Sequence, residues 1–420
     1  MDAPLRSPRL REIDVYYAMV ALYFFAFGLQ FVLYPSIATF TLAQGGSEIG
    51  AAQTALSAPM FCLLLFGGVV AERAQAGPVL AGLQIAFALP ALALAALVSA
   101  GALTFPLLLA YGVVMGSLAA FMQPVRDSAL NGIVARSCSA DRPLHLAQVA
   151  TITTAVQIGA QIIGILAARF SDRFGVAPLL CAQAAAVVGA AVLAARLQAP
   201  KPEPRPRRRA QALREIREGL AYAFTHPVIG SMLWSAAYVG VFIVGAFQVL
   251  FPLLIREVYG GGAAELGAMY ACFWGASFVS AATLGRAPPL RRPGRAMLIC
   301  HVLGAVVFAT LAIDKPLWAF ALSTILVGAG AGVAISMSRT ITQANADPAF
   351  LGRVLAVYSM GFMGGAPIGS ALVGVGYDVL RAAGLGAGWV ALLPAVGIGA
   401  SAVALALFTP IWRLEQPSRG

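Results

Sequence analysis

The sequence is short of charge. Asp, Glu, Lys and Arg make up only 11% of its 420 residues, against 60% hydrophobic. A water-soluble chain of this length needs far more polar surface to cover its core, so a soluble globular domain is excluded. Histidine is scarcer still, with three residues. No HExxH or HxxxxD pattern, no metal-spaced His/Cys cluster and no GxxxxGK(S/T) phosphate loop is present. A membrane-embedded enzyme and direct use of ATP are left without support, and neither a metal nor a cofactor is expected. The five cysteines, Cys62, Cys138, Cys181, Cys272 and Cys300, are odd in number and scattered, with no CxxC pair. That pattern offers neither a disulfide framework nor a zinc site and reads as buried apolar filler.

Long apolar runs are what the chain has instead, and its mean hydropathy is +0.83. Runs of ~18 residues or more are read as membrane helices, because ~20 residues rising ~1.5 Å each cross the ~30 Å hydrocarbon layer. Spans are predicted at about 17–42, 51–71, 78–98, 104–123, 145–168, 176–195, 229–254, 265–285, 296–313, 316–337, 353–378 and 388–408. Proline and glycine punctuate the short connections at Gly77-Pro78 and Asp314-Lys315-Pro316, which splits the runs there. The first run is too long for a signal-peptide core and lacks a small-residue cleavage site, so no cleavable leader is expected.

A formal net charge of +11 raises the question of nucleic acid, but the charge lies almost wholly between the apolar runs. There it orients a membrane protein rather than binding phosphates. Of the 28 Lys and Arg, 23 fall on the side of the termini; Arg169, Arg173, Arg256, Lys315 and Arg381 make up the other 5. So lopsided a distribution predicts an inner-membrane protein with both termini cytoplasmic, with the bilayer rather than nucleic acid as its partner. The longest connection divides six spans from six, predicting an N-terminal bundle over 1–196, a cytoplasmic linker over 197–228 and a C-terminal bundle over 229–420. Lys201–Arg209 is proline-rich and charged, hence extended. Leu213, Ile216, Leu220 and Phe224 then recur at helical spacing, predicting an amphipathic surface helix.

The two halves echo each other. Gly112 and Gly116 in the fourth span match Gly328 and Gly332 in the tenth, both as GxxxG. Arg126 and Arg339 follow at similar distances. Ala160, Gly164 and Ala168 in the fifth span match Gly361, Gly365 and Gly369 in the eleventh. Small residues four apart let helix backbones approach closely, and repeated six-span halves are an architecture of alternating-access transporters.

Several segments then resemble the major facilitator superfamily, in particular its macrolide-efflux and siderophore-exporter-like branch. Gly68-Val-Val-Ala-Glu72-Arg73 is similar to the family's loop 2–3 motif of glycine, three residues, acid, arginine. Pro124-Val-Arg126-Asp127-Ser-Ala-Leu resembles that branch's P-x-R-x-A-L segment after the fourth span. Arg217-Glu-Gly219 to Pro227, Leu250-Phe-Pro252 to Gly267, and Gln343 through Pro348 to Val354 also fit, in the right order. Two departures stand out. Ala-Gln-Ala replaces the glycine and basic residues after Arg73, and the matching loop after the eighth span has Arg286, Arg291, Arg292 and Arg295 but no acid.

The resemblance implies an all-α membrane protein, with twelve transmembrane helices in two pseudo-repeated six-helix bundles around a central cavity. On the helices that line such a cavity, the polar and aromatic candidates are Gln30, Tyr34, Gln157, Gln161, Tyr238, Gln248, Tyr270, Trp274 and Tyr358. An amide turned to lipid would leave its hydrogen-bonding groups unmet at a cost of several kcal/mol, so these side chains should face the bundle interior. Gluing helices together is the competing role for each. Glu72, Arg73, Arg126, Asp127, Arg339 and Arg353 are placed at cytoplasmic helix ends, where the resemblance implies a gate in which Glu72 faces the positive start of the eleventh helix. His301, in the peripheral ninth span, reads as a neutral structural histidine. No acid falls in mid-span, so either coupling is not strictly to protons or it runs through Glu72 and Asp127, with His301 as the third route.

The expected function is secondary active transport of a small amphipathic molecule, most readily export of a drug or siderophore, by a monomer that uses protons as coupling ion if any. An uptake carrier or uniporter for a small nutrient is the alternative, and a receptor or membrane-embedded enzyme the remaining classes. The orientation is testable. In intact cells, a cysteine at Gly46 should react with an impermeant thiol reagent and one at Ala210 should not; labelling of the Ala210 variant from outside overturns the orientation.

Overall fold

In the computed structural model of the chain, the described residues are 8–73, 75–137, 146–197, 221–222, 224–288, 290–347 and 350–415, a few helical ones by backbone alone. Twelve helices carry the fold: α1 (Pro8–Ser36), α2 (Gly46–Arg73), α3 (Ala76–Ser99), α4 (Phe105–Ser137), α5 (Leu146–Ala167), α6 (Val176–Ala194), α7 (Pro227–Glu257), α8 (Ala263–Arg286), α9 (Pro293–Ala309), α10 (Leu317–Asn345), α11 (Leu351–Ala382) and α12 (Leu392–Phe408). Eleven are long and apolar enough to cross a membrane on their described residues, and α2, with 28 residues, is the twelfth. Large apolar side chains such as Ile163, Trp318 and Phe408 stand exposed, as suits lipid rather than water. Leu213, Ile216 and Leu220 of the predicted amphipathic helix in the linker lie outside the described residues.

Two predicted ends need correction. The fourth span was expected to stop at 123 and the tenth at 337, but α4 runs on to Ser137 and α10 to Asn345. Arg126, Asp127 and Arg339 therefore sit inside helices rather than at their ends. Pro124 reads as a stop because it has no N–H for the carbonyl of Ala120. The helix nevertheless continues, and Gly67 of α2 lies close to that carbonyl, where any Cβ would collide.

By compactness the chain divides into two units. Unit 1 is Met1–Ile37 with Ala58–Arg205, and unit 2 is Ala38–Ser57 with Pro206–Gly420. Within unit 1, α1 packs on α5 and α6, and α3 on α6 and α4. Within unit 2, α7 packs on α11 and α12, and α9 on α12 and α10, so one pairing scheme serves both. The chain passes between units at Ile37/Ala38 and again at Ser57/Ala58. A π-helical turn, Ile37–Thr41, marks the first passage, and Pro59 inside α2 adjoins the second. Both are recognised causes of helix bending.

Glycine sets the spacing in each unit. Gly28 of α1 meets the backbone of Gln161 and Ile165 on α5, and Gly164 of α5 meets the carbonyl of Phe25. In unit 2, Gly245 of α7 lies against Gly369 and Ser370, and Gly369 against the carbonyl of Val241. Gly328 and Gly332 of α10 meet the carbonyls of Phe273 and Ser277 on α8. The repeat is visible in register as well: Gly28 and Gly245 are 217 residues apart, as are Gly77 and Gly294, each of which meets a carbonyl near its unit's last helix.

The cysteines differ from expectation. Cys62 and Cys181 are exposed and Cys272 and Cys300 half-buried, all free thiols. A surface facing hydrocarbon accepts a thiol as readily as a packed interior does.

Close packing of this kind has a measurable signature. Gly369→Leu should lower thermal stability in detergent, in line with the ~1–3 kcal/mol cost of overpacking. Gly275→Ala, at a position with open space around the Cβ, should melt as wild type does. Equal melting of the two variants, followed by size-exclusion chromatography after heating, would show that the α7–α11 contact has slack to absorb a side chain.

Candidate functional site

Unit 1 gathers several of the predicted cavity residues around α1. Gln30 is nearly buried, and Gln183 of α6 donates from Nε2 to its Oε1 at 3.3 Å. The same Nε2 lies 3.4 Å from the hydroxyl of Tyr111 on α4, whose ring is 5.8 Å from that of Tyr34. Gln157 is half-buried and Gln161 buried on α5, the latter where its carbonyl meets Gly28. Gln183, Tyr111 and the fully buried Gln84 of α3 were not among the sequence candidates. An amide in the middle of an apolar run was the available signal, set aside because α3 and α6 were assigned to the periphery.

Unit 2 distributes its candidates differently. Tyr238 of α7 is buried, and its hydroxyl is 2.6 Å from Nδ1 of His301 on α9. The two rings meet edge to face at 5.3 Å. Tyr270 of α8 is fully buried, stacked on Phe247 at 4.6 Å, with Phe273 and Phe251 completing an aromatic cluster. Trp274 stands edge-on to Phe273. Gln248 of α7 is half-buried, with an Oε1 that finds no partner among the described residues. Tyr358 of α11 packs on Ile229, Leu233 and Val354.

Four of the six residues implied for the gate have described side chains, two in each unit. Glu72 and Arg73 end α2, but their side chains lie outside the described residues. Arg126 of α4 is buried, with its guanidinium over the ring of Phe24 at 4.9 Å and Nη2 3.6 Å from Oδ1 of Asp127, which is itself exposed. Arg339 is exposed on α10, and Arg353 lies over the ring of Phe350. Two pairings on the side of the termini were not anticipated. Arg136 near the end of α4 holds Glu12 of α1 at 2.7 Å. Nε of Arg292 donates to Glu415 at 2.7 Å, and these hydrogen bonds, with the guanidinium charge, hold that carboxyl below its ordinary range.

A denser polar cluster, also unpredicted, joins the segment 38–57 to α7 and α11 within unit 2. Gly46 and Ser47 open α2, and their backbone N–H groups donate to Oδ1 and Oδ2 of Asp378 at 3.1 and 2.9 Å. The carboxylate thus fills the N-cap role from another helix and faces the positive end of the α2 dipole. Arg256 donates through Nη1 to the carbonyls of Thr39 and Gln44 at 3.0 and 2.6 Å, and through Nη2 to Glu257 at 3.0 Å. The hydroxyl of Tyr377 and the guanidinium of Arg381 also reach Glu257. Gly46 and Gly374 lie backbone to backbone, as do Gly50 and Ser370. Each of these charges looks like ordinary flanking charge in the sequence; only the fold brings them together.

A family model described as Major Facilitator Superfamily matches residues 17–370. Among curated proteins, the Enterobactin exporter EntS of Escherichia coli O1:K1 / APEC is 26% identical over 167 residues, which are 40% of this chain and 39% of that protein. The same exporter from Escherichia coli O45:K1 (strain S88 / ExPEC) gives the same figures. The matched segment therefore spans well under half the length of these relatives. Among solved structures, the nucleoside transporter NupG superposes with a TM-score of 0.74 at 15% identity, covering 94% of this chain and 99% of NupG. An auto inhibited POT family peptide transporter reaches 0.72 at 14% identity, covering 98% and 99%. Identities this low establish likeness of fold.

The Asp378 cap can be removed singly. Asp378→Ala should weaken the start of α2 by about 1 kcal/mol, the usual cost of losing an N-cap. Amide hydrogen exchange over residues 46–50 of the purified protein should accelerate, and exchange there at the wild-type rate would show that the cap contributes nothing.

Proposed function

The chain belongs to the Major Facilitator Superfamily and is an integral-membrane secondary transporter of small molecules, and from that premise we propose that it exports an amphipathic compound of the drug or siderophore class by alternating access. The observation that carries the direction and class is the partial match to a siderophore exporter. An aromatic and amide complement suits such a cargo: Gln30 with Gln183 and Tyr111 in unit 1, and Gln248 with the aromatic cluster of Phe247 and Tyr270 in unit 2. In this reading the protein lies in a bacterial inner membrane as a monomer with both termini cytoplasmic, as the excess of Lys and Arg on that side supports. Glu72 and Arg73 act at the cytoplasmic helix ends.

Among the described residues no Asp or Glu is buried, whereas a proton-coupled site commonly uses a carboxylate whose pKa burial has raised. The acids left for coupling are Glu72 and Asp127 at the cytoplasmic side. Facilitated equilibration without protons is the second reading, and the same absence favours it.

Growth of a bacterial host lacking its own exporters, challenged with a panel of antibiotics and iron chelators, tests the direction. Expression of the chain should raise the tolerated concentration of at least one compound and lower its cellular content. Uniform tolerance across the panel, with inward accumulation of a nutrient on expression, would replace the exporter with an uptake carrier.

A further inference from the structure

We propose that Arg126 is a substrate-contact residue whose guanidinium binds a negatively charged group on an aromatic cargo, so that the transported compound is an organic anion. This deepens the exporter reading and rests on it for the identity of the cargo as an amphipathic molecule. Among the described residues, Arg126 is the one buried side chain that carries a permanent charge. It lies eleven residues before the end of α4 and inside the span Phe105–Arg136. A charge in a transmembrane segment is costly and kept where it has a task, and a buried cation needs a partner to offset its lost hydration.

The partners present do not complete the guanidinium. Its Nε is buried with no hydrogen bond among the described residues. Asp127 Oδ1 stands at 3.6 Å from Nη2, beyond direct hydrogen-bonding distance. That carboxylate pairs with Arg126 but is 56% exposed against 9% for the arginine side chain, so the pair is enclosed on the arginine side only. The hydroxyl of Tyr16 donates at 3.4 Å to the backbone carbonyl of Arg126 and stands within reach of its guanidinium, whose Nε it leaves unfilled. What supports the guanidinium is the face of Phe24, a contact that stabilises the cation without using its N–H donors.

The surroundings add the second half of the recognition. Phe24 begins an aromatic row along α1, with Phe27 at 5.9 Å from it and Phe31 a further 6.2 Å on. Phe27 is 36% exposed, open to an incoming ring. A planar donor fork at the foot of an aromatic row fits a carboxylate or phenolate attached to an aromatic ring. Arginine makes two parallel charge-assisted bonds to such a group, which lysine cannot reproduce.

The test is equilibrium dialysis of the full-length protein in lipid nanodiscs against radiolabelled salicylate and its neutral isostere salicylamide. The wild type should bind salicylate saturably and in preference to salicylamide. Arg126→Gln should weaken salicylate binding about tenfold, the scale of a lost hydrogen bond to a charged group, and leave salicylamide unchanged. Arg126→Lys should keep part of the preference, as charge without the fork predicts.

No saturable salicylate binding, equal binding of both ligands by the wild type, or an equal loss of both in Arg126→Gln overturns the assignment, the last showing a structural arginine. Should the glutamine variant fail to fold, the lysine variant decides, because an unchanged salicylate-to-salicylamide ratio there rules out the fork. Failure of the exporter reading is distinct: growth protection is then absent while anion preference persists in dialysis.

Discussion

In hydrocarbon, two apolar helices gain little by leaving lipid for each other, and what holds them is the distance to which their backbones can close. Everything else in this protein depends on that distance. Gly28 and Gly164 bring α1 and α5 together where the carbonyl of one residue lies against the Cα of another, and Gly245 and Gly369 do the same for α7 and α11. Because these approaches leave no room for a side chain, they fix rotation and height together. The polar residues between them are consequently aimed. Gln30, two residues from Gly28, meets Gln183, and Tyr238, two residues before Gly240, meets His301.

The same closeness explains how proline is tolerated inside so many spans. A proline releases the carbonyl one turn earlier, and in lipid that carbonyl has no water to turn to. At Pro124 the neighbour's Gly67 supplies contact to the released group, and α4 continues for three more turns. Arg126 owes its burial to that continuation. Had the helix ended at Pro124, its side chain would lie in a loop rather than among the packed helices.

Hydropathy and the distribution of arginine made the number, order and approximate limits of the spans legible in the sequence, since both follow from transfer between water and lipid. The places where reading failed share one cause. Ends of α4 and α10 were misplaced because polar residues and proline were taken to mark loops, although a helix beyond the bilayer surface satisfies its own backbone and tolerates both. Pairings such as Tyr238 with His301, or Asp378 with the start of α2, join residues 63 and more than 330 positions apart. No local periodicity carries such information. The matched glycines were visible as a repeat, but that Gly328 faces the carbonyl of Phe273 depends on which helices become neighbours.

The passage of residues 38–57 into unit 2 has a mechanical corollary. The chain leaves unit 1 through a π-helical turn and returns beside Pro59, within twenty residues. Ala43, between them, adopts a φ of 51°, which costs an alanine strain that a glycine would not feel. The irregular backbone on either side brackets the contacts that Asp378 and Arg256 make with this short stretch. Within the stretch itself, Asp378 and Arg256 hold the start of α2 and the carbonyls of Thr39 and Gln44, so the one strained alanine lies inside a segment fixed at both ends. The places where this backbone departs from regular helix are thereby gathered into about twenty residues, away from the glycine-locked pairs of α1 with α5 and α7 with α11.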